Sequence, residues 1–104
     1  MGKERRRDAR ARMDVFANRY IEGHPYAVEL LDASAGGFLV RTMFEPDTAD
    51  VETFPIEVRV DGVRIWAWTR RVWKDGDREA LRIVSADPLE RARFKKLLRE
   101  RPAA

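Results

Sequence analysis

Ile56-Glu57-Val58-Arg59-Val60-Asp61-Gly62-Val63-Arg64-Ile65-Trp66-Ala67-Trp68 is the stretch that decides the fold class of this chain. Apolar and polar residues alternate on both sides of Asp61-Gly62. Asp-Gly between alternating runs predicts a two-residue hairpin, because a type I′ turn requires positive φ at both central positions. The second strand continues through Thr69-Arg70-Arg71-Val72-Trp73, Asp75-Gly76-Asp77 marks another turn, and Glu79–Val84 reads as a further strand. Upstream, Val15–Ile21 and Tyr26–Leu31 are β-rich runs punctuated by Gly23-His24-Pro25. The break Asp32-Ala33-Ser34-Ala35-Gly36-Gly37 leads into the short run Phe38–Thr42, and the acidic stretch Glu45–Glu52 reads as a solvated loop.

After the last strand the period changes. Asp87 suits an N-cap, Pro88 the first helical position and Glu90 the third position of a capping box, predicting a helix over about 87–101. Phe94, Leu97 and Leu98 share one face of that helix. Six strands and one terminal helix, with no βαβ alternation, predict an all-β domain: a six-stranded antiparallel barrel with a C-terminal helix. On the fifth strand, Val63, Ile65 and Ala67 share one face and Trp66 and Trp68 the other. The simplest packing turns the first set inward and lays the helix over the tryptophans. The alternative is that Trp66 and Trp68 form a self-association surface, and so a homodimer.

With 104 residues, 44% of them hydrophobic, the chain has material for one modest core. The absence of cysteine excludes disulfides, thiol catalysis and thiolate metal sites. No apolar run approaches the roughly 18 residues of a membrane span, and no signal-peptide segment opens the chain, so a cytoplasmic setting is expected. The net charge of +3 is unevenly placed: residues 1–12 carry +4, residues 87–104 carry +3, and the stretch between carries −4. Residues 1–12 read as a flexible arginine-rich arm before a barrel spanning 13–104, and such an arm favours an anionic partner.

Catalytic chemistry has no support. His24 is the only histidine and sits in a turn, so no metal site is expected. Ser34 lies outside any G-x-S-x-G elbow, and Gly36-Gly37 forms no phosphate-binding loop. The chain is therefore read as a non-enzyme without a cofactor.

Two features remain. Arg6 and Arg10 form R-x-x-x-R in the arm, and Asp32, Ser34 and Gly37 form D-x-S-x-x-G about 22 residues later. Alone, the first is a solvated basic tail and the second a tight turn. In this order and spacing, over nearly the whole chain, the pair resembles the PilZ domain, the bacterial receptor module for cyclic di-guanosine monophosphate (c-di-GMP). The resemblance implies a six-stranded barrel with a flanking helix, matching the count reached from the strands. It also implies that Arg6 and Arg10 grip the ligand while Asp32, Ser34 and Gly37 line a guanine pocket. The residue types suit the ligand: arginine pairs with phosphate, forks onto the O6/N7 edge of guanine and stacks on purines. A carboxylate accepts from the N1–H and N2–H₂ edge of guanine, a small serine bonds at close range, and glycine spares the base a side chain.

Ala9 stands where family members often carry proline before the second arginine, which makes the arm less stiff. Arg5, before the first motif arginine, leans toward two stacked ligand molecules by the same resemblance. No attached output domain is read from the sequence, so signalling is expected through an unidentified protein partner. The alternative function is a small barrel binding RNA or DNA through its basic ends, with Trp66 and Trp68 as stacking groups. The −4 middle segment argues against it.

Overall fold

The computed structural model describes residues 9–46 and 51–104. Six strands and one helix follow one another: β1 (Ala11–Ile21), β2 (His24–Ser34), β3 (Gly37–Thr42), β4 (Thr53–Val60), β5 (Val63–Asp75), β6 (Arg78–Ala86) and α1 (Pro88–Arg99). The strands close into an antiparallel barrel in the order β1-β2-β3-β6-β5-β4, with β4 returning to β1. The Asp61-Gly62 turn takes positive φ at both residues (52° and 78°), as a type I′ hairpin demands, and sets Val60 opposite Val63.

Other boundaries depart from the sequence reading for local reasons. Glu22-Gly23 makes the first turn, with φ of 52° and 84°, so His24 and Pro25 open β2 instead of forming the bend. Arg12 and Ala11, read as arm, belong to β1. They are held there by the tail that follows α1: Arg12 N–H donates to the Pro102 carbonyl at 2.8 Å and Ala11 bridges Ala103.

Alternation places the core inside the barrel. Phe54, Ile56, Val58 and Val60 of β4 face Ile65 and Ala67 of β5, joined by Val28 and Leu30 of β2 and by Phe38 and Val40 of β3, all buried. α1 closes the end reached by β6. Asp87 caps it, accepting from the N–H groups of Leu89 (3.1 Å) and Glu90 (3.0 Å). Phe94 packs edge-on against Phe38, with ring centroids 5.9 Å apart. The helix therefore plugs the barrel and does not lie over the tryptophans: Trp68 is 46% exposed, and Trp66 tilts against Tyr20 at 5.0 Å. Glu90 also departs from its capping-box role. Its carboxylate accepts from the Trp66 backbone N–H at 2.9 Å and from Arg64 at 2.8 Å. Trp66 lies one residue beyond the last β5–β6 pair, Ala67 with Ala86, so Glu90 meets a donor that the ladder leaves over.

The opposite end is closed by charge. Arg19 and Glu79, both 0% exposed, form a bidentate pair with two bonds of 2.9 Å, and Arg71 adds a third bond to Glu79 at 2.9 Å. The loop after β3 brings Glu45 onto the other side of Arg19, so this acid is an ion-pair partner and not the solvated loop residue its context predicts. The Arg19 guanidinium lies 4.3 Å over the Phe54 ring. Burial opposes charge on Glu79 and Arg19 alike, but the mutual hydrogen bonds outweigh it. The Glu79 pKa is lowered and the Arg19 pKa raised.

Candidate functional site

The D-x-S-x-x-G residues are aimed by a bulge. β2 pairs with β3 in one register up to Leu30 and in a shifted register from Asp32, with Leu31 as the extra residue. Leu30 and Ala33 are both buried inside the barrel, so the bulge turns Asp32 and Ser34 to the outer face, which unbroken alternation from Leu30 would deny them. A two-residue turn, Ala35-Gly36, follows, and Ser34 Oγ accepts from the Gly36 N–H at 3.2 Å. The turn is fixed from two sides: Ile83 N–H donates to the Gly36 carbonyl at 2.8 Å, and Arg91 of α1 donates to the Ala35 carbonyl at 3.2 Å.

Gly37 meets a second need that its motif does not announce. A Cβ there would stand 2.3 Å from the Leu81 carbonyl oxygen, so β3 can lie beside β6 only with glycine at this position. Bare backbone at Gly37 and the small Ala80 give the outer face a low floor, and Leu39 and Trp73 rise around it.

Arg10 reaches this floor from the start of β1. Ala11 pairs with Ala33, which sets Arg10 beside Ser34, and its Nε donates to Asp32 Oδ1 in an ion pair. Arg10, Asp32, Ser34 and Gly37 thus line one cleft of about 710 Å³, within the size range of small-molecule sites. Arg5 and Arg6 lie outside the described residues.

Trp73, Arg82 and Arg91 are among the cleft members that sequence reasoning missed. Trp73 faces it because β5 bulges between Arg71 and Trp73, setting Trp73 opposite Ala80 while Arg71 turns toward Glu79 inside. No turn residue announces that bulge. Arg91 could have been found from its place in the first turn of a capped helix, once the helix was known to plug the barrel end.

Among the described residues, no cluster of three or more metal-ligating side chains occurs and no helix is long and apolar enough to cross a membrane. The cleft carries arginines, one carboxylate, a hydroxyl and an exposed indole, which suits a planar, hydrogen-bonding anion. A family model described as the PilZ domain matches residues 4–100. The chain belongs to the PilZ domain family. PilZ domains are in general non-catalytic c-di-GMP receptors and adaptors, and the barrel with its C-terminal helix is the architecture expected of a member. Seven solved chains match this PilZ domain. One is the crystal structure of an uncharacterised Legionella protein, 10% identical, with a TM-score of 0.63 over 88% of this chain and 90% of that one. At that identity the likeness shows the fold alone. Among curated proteins, this chain finds no match.

Proposed function

We propose that this PilZ domain is a receptor for c-di-GMP, binding without a cofactor and without catalysis, and that it signals through contacts with another protein. The observation that carries the reading is that Arg10, 22 residues before Asp32, meets Asp32, Ser34 and Gly37 of the β2–β3 turn in one cleft. Asp32 accepts from the Watson–Crick edge of one guanine, and Ser34 bonds close to the turn. The exposed indole of Trp73 offers a stacking face. Arg10, together with Arg6 and Arg5 of the preceding segment, meets the phosphates and the Hoogsteen edge.

The Arg10–Asp32 ion pair has a part in this. Each group is the other's partner in this structure, and ligand supplies a phosphate to one and a guanine edge to the other. Binding therefore exchanges one internal ion pair for two external contacts, and in doing so repositions the start of β1. That change of shape is what a partner protein reads.

Calorimetric titration of the purified protein with c-di-GMP tests the reading. Micromolar or tighter binding is expected, weakened at least tenfold by Arg10→Ala and by Asp32→Ala. Absence of binding by the wild-type protein, or unchanged binding by both variants, overturns it.

A further inference from the structure

A second groove lies beside the cleft, between the start of β1, the outer side of α1 and the tail that follows it. It has a volume of about 390 Å³ and shares Arg10 with the cleft. Among the described residues its charged lining is Arg10, Lys95, Arg99 and Arg101, with no acidic side chain, over a floor of apolar groups such as Ala11 and Leu98. Lys95 and Arg99 stand four apart on α1, a like-charge spacing that costs an isolated helix stability. Among the described residues neither has a hydrogen-bond or ion-pair partner. Arg101 is held in place by the carbonyls of Arg12 (3.1 Å) and Met13 (2.8 Å), and its nearest acid is Asp61 at 3.6 Å. Among the described residues the fold gathers four cations here and leaves the Lys95 and Arg99 side chains without a carboxylate, next to a cleft that suits a ligand with two phosphates.

We propose that this groove is an anion subsite of the c-di-GMP site, in which Lys95 and Arg99, with Arg101 behind them, take a phosphodiester of the cyclic dinucleotide. The inference rests on the receptor reading above and adds α1 to the ligand-binding surface. A cyclic dinucleotide carries its two phosphodiesters on opposite sides of one ring. A molecule with a guanine at Asp32 therefore presents a phosphate past Arg10, toward α1. The phosphate in the groove belongs either to that molecule or to a second one stacked on it, and binding stoichiometry separates the two.

The experiment compares wild type, the double variant Lys95→Glu/Arg99→Glu, and Lys96→Glu, which changes the same helix outside the groove. Each is titrated calorimetrically with c-di-GMP at two salt concentrations. Wild type is also followed by amide chemical shifts with c-di-GMP and with inorganic pyrophosphate. Helical circular dichroism confirms folding, and Lys95→Gln/Arg99→Gln provides a milder second variant. The expected result is at least tenfold weaker binding and a shallower salt dependence in the double variant, Lys96→Glu within about twofold of wild type, and shifts at Lys95, Arg99 and Ala103. A stoichiometry of one assigns the phosphate to the same molecule and two to a second. If wild type binds c-di-GMP and the double variant binds equally well, the subsite is wrong and the receptor reading stands. If wild type does not bind c-di-GMP, the receptor reading falls and pyrophosphate decides the groove: shifts at Lys95 and Arg99 support it, and their absence overturns it.

Discussion

Replacing Gly37 with alanine separates the two reasons for a glycine in the D-x-S-x-x-G turn. The added Cβ would stand 2.3 Å from the Leu81 carbonyl oxygen, a backbone atom that cannot rotate away. An ordinary contact requires roughly 1 Å more, so β3 must part from β6 at the Gly37–Arg82 pair. Forcing a methyl into packed structure costs about 1–3 kcal/mol. Losing the adjacent Ile83 N–H bond to the Gly36 carbonyl (2.8 Å) adds about 1 kcal/mol. The sum, about 2–4 kcal/mol, lowers the midpoint of a domain this size by roughly 10–20 °C. Scanning calorimetry of the ligand-free protein measures it directly. A midpoint within 2 °C of wild type, together with lost c-di-GMP binding, would show that the glycine serves only the ligand and refute the argument from strand spacing.

The remaining predictions concern the charges and the cap. Glu79→Ala leaves the buried Arg19 and the half-buried Arg71 without their shared carboxylate and should destabilise by about 3–5 kcal/mol in urea titration; a loss under 1 kcal/mol would mean water reaches the cluster. Because the folded pKa of Glu79 is lowered from its ordinary 4.5, its contribution is complete above that value and is lost as pH falls through the folded pKa. Thermal midpoints should therefore drop from pH 5 downward, and Glu79→Gln should flatten the profile; an unchanged profile would place the acid sensitivity elsewhere. Asp87→Ala removes the acceptor for two helix N–H groups and should cost about 1 kcal/mol, read as a matching fall in urea midpoint.

The hairpins and the helix were legible because each is written locally. Asp61-Gly62 fixes its turn by backbone sterics alone, and Asp87-Pro88 starts α1 for reasons contained in two residues. The motif residues were legible as a spacing. What the sequence withheld was phase. Leu31 and Val72 are bulge residues, and no local signal distinguishes them from ordinary strand positions, yet each reverses which side chains face in after it. Without the Leu31 bulge Asp32 would point into the core, and without the one before Trp73 the indole would not face the cleft. The buried arginine was hidden for a related reason. Arg19 alternates like a core residue, but its partners lie 26 and 60 residues away, and only closure of the barrel brings them together. The destination of the helix was not legible either, since Phe94, Leu97 and Leu98 are equally suited to an aromatic face or a barrel mouth.

The pairing of residues 10–12 with residues 102–104 has a mechanical consequence. The two segments run antiparallel, with Ala104 N–H on the Arg10 carbonyl and Arg12 N–H on the Pro102 carbonyl. Arg10 and Ala104 therefore stand side by side at one end of the seam. Tension applied between them falls on one hydrogen bond at a time, peeling the seam open, whereas a sheared pair of strands shares the load across all its bonds. A gentle pull would thus release Arg10 and the tail while the closed barrel behind them stays intact.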